Sequence, residues 1–279
     1  MPEGDTLYRT AATLHRWLAG REVTAATTTV PGLATESLVG QRVDKVEAWG
    51  KHLLVRFASG QTLHSHLRMS GSWHVYPVGD TWRRPHRQAR LVLTCGDRTA
   101  VCFNAPVVEL LAARAELVHP ALVRLGPDVL ADDIDLEGVR RRARNRPGEL
   151  ALGELLLDQT IVAGIGNIWR CEALFAEGHN PWKRQALVDD DELDALVARA
   201  GRLMRASAGI GPAPRPGSPD AVPTGRPYTR WVYKRQGRPC RRCGSIVVAR
   251  RQGEQARTAY WCPTCQPAAA GSSPPPPDP

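Results

Sequence analysis

The chain of 279 residues opens Met1-Pro2-Glu3-Gly4-Asp5. Removal of Met1, which the small Pro2 permits, leaves a secondary amine beside a carboxylate. A neutral α-amine is a nucleophile, and an ordinary pKa of about 7.7–8 leaves an appreciable neutral fraction near pH 7. Pro2 is thus a candidate for attack on a carbonyl-like carbon. Glu3, the next residue, can pass a proton to or from the product once burial raises its pKa. On these residues alone the plainer reading is a lead into a helix. Lys51, in Gly50-Lys51-His52, is one of only four lysines among 37 basic residues. Arg does not give up its proton in a protein and Lys does, so a proton-transfer site requires Lys. In isolation Lys51 also reads as a solvated turn residue.

The strongest chemical spacing lies near the other end. Cys240-Arg241-Arg242-Cys243 and Cys262-Pro263-Thr264-Cys265 stand 18 residues apart, which suits four thiolates around one tetrahedral zinc ion. The N-terminus lacks the basic-then-apolar pattern of a secretion signal, which disfavours disulfides. A fully thiolate-ligated ion is a staple for the hairpin between the pairs, not a catalyst. Cys95, Cys102 and Cys171 read as buried free thiols. His52, His64 and His66 alternate as on a strand face, but a metal reading is set aside because no nearby carboxylate or thiolate completes a set.

The excess of Lys and Arg over acids is 9 for the whole chain, and residues 226–266 carry all of it, with ten basic residues against Glu254 alone. A basic segment on a charge-balanced body is the footprint of a polyanion site, nucleic acid above all. An Arg-rich genome explains Arg over Lys but not the clustering. The absence of a run of about 18 apolar residues leaves no membrane span to expect, and the protein is expected in the cytoplasm, associated with the nucleoid.

The elements that must position these residues follow from pattern. Asp5 or Thr6 can cap a helix with Leu7, Ala11, Leu14 and Leu18 inward and Gly20 as its stop. Short β-type runs follow at 23–30, 42–49, 52–57, 62–69, 72–76, 90–95 and 100–103, and their breakers imply an antiparallel sandwich or barrel. The turn Leu67-Arg68-Met69-Ser70-Gly71 offers an unbranched apolar side chain and a guanidinium, a pair able to enter a DNA stack; Met69 as core packing is the alternative. After Pro106 the character turns helical: Glu109 to Leu117, Leu136 to Arg144 behind the acidic cap region Asp132-Asp133, Glu149 to Asp158, Ile168 to Ala176 and Asp190 to Ala206. Gly164-Ile165-Gly166-Asn167 opens the fourth of these and frees the backbone to approach a phosphate, although a plain turn reads the same. The stretch Gly209 to Pro227 reads as a mobile loop, and the chain from 268 as a disordered tail.

Taken together, Pro2-Glu3-Gly4, Gly50-Lys51-His52, Leu67-Arg68-Met69-Ser70-Gly71, Leu125-Gly126-Pro127-Asp128, Leu157-Asp158-Gln159 with Gly164-Ile165-Gly166-Asn167, and the four-cysteine knuckle resemble the formamidopyrimidine-DNA glycosylase/endonuclease VIII family. The match runs in order from about residue 2 to 266. It implies an α+β multidomain fold: an N-terminal antiparallel β-sandwich with a leading helix (1–115), a helix–two-turn–helix domain (116–225), a four-cysteine zinc-finger hairpin (226–267) and the tail (268–279). It also implies a bifunctional enzyme that removes oxidised bases from damaged double-stranded DNA and cuts at the abasic site by β,δ-elimination. In that scheme Pro2 attacks C1′ and forms a Schiff base, Glu3 protonates the opening sugar and Lys51 assists. Arg257 grips phosphates at the lesion and helps δ-elimination. Asn167 and Arg124 hold the backbone, and Arg68 and Met69 fill the void left by the extruded base. One structural zinc and a monomer are expected. Pro-Glu-Gly-Asp resembles endonuclease VIII, favouring oxidised pyrimidines. The absence of an Arg-Phe-Gly wedge between 90 and 108 leaves the orphaned base without an assigned partner. The alternatives are an oxidised-purine glycosylase and a non-catalytic zinc-ribbon nucleic-acid binder.

Overall fold

The structure, a computed structural model, describes residues 2–211 and 230–268. The chain folds as two compact units, one up to Arg124 and one from Leu125 onward. In the first, helix α1 (Gly4–Leu18) buries Leu7, Ala11, Leu14 and Leu18 on one face. Its N-cap is Glu3, not Asp5 or Thr6. The Glu3 carbonyl accepts from the amides of Thr6 and Leu7 at 2.9 and 3.1 Å, and Asp5 stands in the first turn, where the helix dipole favours a negative charge.

Eight strands follow: β1 (Ala25–Thr28), β2 (Val43–Trp49), β3 (His52–Phe57), β4 (Thr62–His66), β5 (Ser72–Pro77), β6 (Ala89–Cys95), β7 (Arg98–Phe103) and β8 (Val107–Leu111). They form two antiparallel sheets of order β1-β6-β7-β5 and β2-β3-β4-β8. Leu53, Val55, Phe57 and Leu63 from one sheet and Leu91, Leu93, Ala100 and Cys102 from the other share a core with α1, which makes the unit a sandwich. Strand β8 corrects the helix expected over 109–117, where only Ala115–Leu117 makes a short 3-10 turn. Val-Val-Glu-Leu-Leu satisfies either period, and the edge of β4 decides: Ser65 pairs with Val108 and His64 with Glu109, sending Val108 to the core and Glu109 to the opposite face.

The second unit contains α2 (Leu136–Arg144), α3 (Leu152–Leu155), α4 (Asn167–Glu177), α5 (Asp190–Ala208), and the hairpin strands β9 (Val248–Gln252) and β10 (Arg257–Trp261). Asp135, not Asp132 or Asp133, caps α2, its carboxylate accepting from the Gly138 amide at 2.7 Å. The helix expected over 149–158 contracts to the four residues of α3. The amides of Leu152 and Gly153 donate outward to the carbonyls of Lys183 and Pro181, and the Asp158 carboxylate turns the chain by accepting from Thr160. Of the expected loop and tail, residues 212–229 and 269–279 lie outside the described residues.

Leu125-Gly126-Pro127-Asp128 has a defined structural task. The Gly126 amide donates to Gln159 O and the Ala163 amide to Pro127 O, both at 2.9 Å, lacing this segment to the loop before α4. A Cβ on Gly126 would stand 2.3 Å from Ile161 O. Gly126→Ala is therefore expected to cost about 1–3 kcal/mol, read as a lowered urea midpoint. An unchanged midpoint would mean that the loop yields freely.

Candidate catalytic and nucleic-acid-binding sites

In the first unit Glu3 is 2% and Lys51 9% exposed, and Pro2 is half-buried. Glu and Lys side chains are seldom so buried unless paired, and Asp5, His52 and His64 are buried in the same unit. Helix α1 holds Glu3 at its start and packs against β2 and β3. The turn joining those strands, with Gly50 at φ 57°, carries Lys51. Rigid core elements therefore fix both.

The turn from Leu67 to Gly71 anchors Leu67 in the core and leaves Met69 64% exposed, so Met69 is not core packing. Three features stiffen it: the Gly71 amide donates to Leu67 O at 2.8 Å, the Ser70 hydroxyl donates to Asn104 O at 3.2 Å, and Arg68 sits at φ 45° with its amide on His66 Nδ1 at 3.1 Å. A Cβ on Gly71 would lie 2.7 Å from Leu67 O. Met69 therefore stands in water on a braced turn. Arg124 is exposed at the end of the unit.

The structure corrects one premise of the histidine reading, because β8 brings a carboxylate beside His64. His64 Nδ1 lies 2.6 Å from Glu109 Oε1, and His119 Nε2 lies 3.0 Å from the same oxygen. His52 Nδ1 meets His64 Nε2 at 2.8 Å. Burial drives the His52 pKa down to about 3 and that of His66 to about 4, so both rings are neutral near pH 7.

In the second unit the loop before α4 is braced by Gln159, whose amide donates to the carbonyls of Leu157 and Ile165 and accepts from the Gly164 amide. Gly164 takes φ 102°, a conformation that favours glycine. Gly166 is the N-cap of α4. Asn167 opens the helix, and its side chain is partly committed: Nδ2 donates to Thr258 O at 2.9 Å and Oδ1 accepts from Arg170 at 2.7 Å. Its amide carries a second Nδ2 hydrogen, and it stands at a helix start, where the dipole favours a negative charge.

Sequence reasoning missed Arg170 and Glu172. Arg170 is fully buried, and its guanidinium donates to Gly153 O, Gln252 Oε1, Asn167 Oδ1 and Arg257 O at 2.7–3.2 Å. Glu172 accepts the amides of Trp231, Val232 and Tyr233 at 2.9–3.1 Å. Charged residues within a helix that otherwise reads as apolar were the available signal. These contacts fix the hairpin, with Arg257, half-buried, as the first residue of β10. Arg230 and Arg242 lie over the rings of Trp169 and Phe175 at 4.8 and 4.3 Å.

The four cysteines converge as their spacing demands. Cys240 and Cys265 sulfurs are 3.9 Å apart, those of Cys243 and Cys262 3.4 Å, and all four lie within 4.8 Å of one another. A tetrahedron of about 2.3 Å metal–sulfur bonds has edges of about 3.8 Å, so the sulfurs fit one ion. Hydrogen bonds from Ser245 hold the Cys243 thiol down at about 6. Cys95, Cys102 and Cys171 are buried free thiols, and burial pushes each pKa up.

Comparison with known proteins bears on both units. Residues 1–106 match the formamidopyrimidine-DNA glycosylase N-terminal domain and residues 125–212 the formamidopyrimidine-DNA glycosylase H2TH domain. The chain is 42% identical to a probable endonuclease 8 2 of Streptomyces coelicolor, over 99% of this chain and 96% of that one. It is 36% identical to the DNA-(apurinic or apyrimidinic site) lyase Nei2 of Mycolicibacterium smegmatis, over 95% and 99%. Among solved structures, the Lactococcus lactis Fpg (MutM) in complex with N7-benzyl-Fapy-dG DNA superposes with a TM-score of 0.78 at 21% identity, over 95% of this chain and all of that one. That likeness establishes the fold. No helix among the described residues is long and apolar enough to cross a membrane.

Proposed function

Because the chain belongs to the formamidopyrimidine-DNA glycosylase/endonuclease VIII family, we propose that it is a bifunctional DNA glycosylase and abasic-site lyase of base excision repair, acting on oxidised pyrimidines. The observation that carries this reading is the Glu3 carboxyl, 2% exposed at the start of α1 and one residue after Pro2. Once Met1 is removed, the Pro2 amine attacks C1′ of the extruded nucleotide and the base departs. Glu3 gives a proton to the ring oxygen as the sugar opens, leaving an iminium between Pro2 and C1′. Loss of a C2′ proton then breaks the 3′ C–O bond by β-elimination, with Lys51 assisting the proton transfers. Arg257 holds the lesion phosphates and assists the δ-elimination that follows. Asn167 and Arg124 hold the backbone, and Arg68 and Met69 occupy the void whose opening costs a few kcal/mol. The four cysteines hold one structural zinc, which supplies no chemistry beyond fixing the hairpin that carries Arg257. The similarity to endonuclease 8 proteins and the Pro-Glu-Gly-Asp start support pyrimidine lesions over purines.

Borohydride trapping on DNA with an abasic site tests the scheme. A covalent adduct located by mass spectrometry on the Pro2 peptide is expected. Binding without an adduct would instead favour a non-catalytic zinc-ribbon binder, the reading that the basic segment alone supports. Paired incision of duplexes carrying thymine glycol or 8-oxoguanine decides the lesion class. Lys51→Ala is expected to slow incision ~10²-fold or more. Lys51→Arg should not restore it, since Arg keeps its proton; restoration would reduce Lys51 to a phosphate contact.

A further inference from the structure

The face of sheet β2-β3-β4-β8 turned away from the core carries chemistry that the glycosylase scheme does not use. Strand alternation sends Leu53, Val55, Leu63 and Val108 inward, and the residues between them outward. On that outer face, Arg56 pairs with Glu47 and Glu116, and Thr62 donates to Glu116 at 3.0 Å. Glu116 thereby draws the segment after β8 across the sheet and brings His119 beside Glu109 and His64. We propose that His64, Glu109 and His119 form a second, thiolate-free site for a divalent first-row transition metal, zinc foremost.

Geometry and donor chemistry both support it. The two imidazole nitrogens converge on one carboxylate oxygen, at 2.6 and 3.0 Å, and the three donor atoms all lie within 4.8 Å of one another. Metal–ligand bonds of about 2.0–2.2 Å require donor separations of roughly 3.0–3.5 Å, which small side-chain movements supply. The outer support is also present. His64 is 1% exposed, its far nitrogen meets His52 Nδ1 at 2.8 Å, and the two rings stack at 5.0 Å; such a partner fixes the orientation and tautomer of a ligating imidazole. The Glu109 side chain, 39% exposed, leaves the outward coordination positions to water. Two imidazoles and one carboxylate select zinc, cobalt or nickel over magnesium or calcium. An ion here ties β4, β8 and the segment around His119 into one strap, beside the strand that begins one residue after Lys51. The site stands whether or not the glycosylase reading holds.

Calorimetric titration of the purified full chain with Zn²⁺ tests it, with cobalt spectroscopy to separate the two sites. The four-cysteine site gives a sulfur-to-cobalt charge-transfer band; the second site binds a further equivalent without adding to that band. Wild type should take up this extra equivalent. Glu109→Gln and His119→Gln should lose it, and His52→Gln should weaken it ~10–100-fold as an outer-shell change. Circular dichroism of each variant with its cysteine site loaded checks that it is folded, and Glu109→Gln, isosteric and partly exposed, guards against loss of fold. Absence of the extra equivalent, or its survival in both ligand variants, overturns the proposal and leaves His52, His64, Glu109 and His119 as a hydrogen-bond chain only.

Discussion

Protein whose Pro2 nitrogen is blocked by an uncleaved N-terminal extension is expected to lose lesion incision on the order of 10⁴-fold or more, because deletion of a covalent nucleophile removes a whole reaction route and not merely one interaction. The buried start of α1 makes the experiment readable. Glu3 and Asp5 lie in the helix boundary and α1 packs into the sandwich core, so thermal melting reports whether the extension has disturbed the fold. Glu3→Gln separates the two chemical steps. It keeps the size and hydrogen-bonding capacity of the side chain but removes the transferable proton, so excision of an intact damaged base should fall ~10²–10⁴-fold. Trapping on a pre-formed abasic site, whose sugar already equilibrates with the ring-opened aldehyde, does not need the proton that Glu3 gives to the ring oxygen and should survive. Equal loss of both activities would mean that Glu3 positions Pro2 and does not transfer a proton. Full-rate incision by the blocked protein would place the nucleophile elsewhere.

The second large effect concerns the cysteine quartet. Cys262→Ser is expected to unfold the β9–β10 hairpin while the first unit keeps its own melting transition. Two five-residue strands do not stand alone in water, whereas binding of a structural zinc releases roughly 10 kcal/mol or more. Loss of the hairpin withdraws Arg257 and most of the basic excess of residues 226–266. DNA affinity should therefore fall, and the dependence of log K on log salt should flatten by roughly 0.9 for each phosphate that the protein no longer neutralises. A variant that binds DNA with unchanged affinity and salt slope would detach the metal from nucleic-acid binding altogether.

The local elements that could be read from the sequence are those where one signal was strong and unopposed. Leu7, Ala11, Leu14 and Leu18 announce α1, and the cysteine spacing announces its cluster, because period and donor type leave few alternatives. Strand β8 was illegible: Val107 to Leu111 fits both periods, and only the open edge of β4 chooses. The same miss hid the His64–Glu109–His119 cluster, since a carboxylate 45 residues away in the chain becomes a neighbour only through strand register. Arg170 and Glu172 stayed hidden for a related reason. A buried charge is recognisable only by its partners, and apart from Asn167, three residues before it, those of Arg170 lie 17 to 87 residues away, while those of Glu172 lie 59 to 61 away, in hydrogen bonds that no spacing rule anticipates.

Arg170 has a mechanical corollary. Its guanidinium bridges the first turn of α4, the carbonyl of Gly153 and both strands of the hairpin, so these parts translate together as one stiff lever. In the proposed scheme, where Arg257 holds lesion phosphates, a pull on Arg257 is thereby passed to the start of α4. A chain that abandoned Arg170 would have to redesign position 252 in the same evolutionary step, so related sequences should exchange that pair jointly.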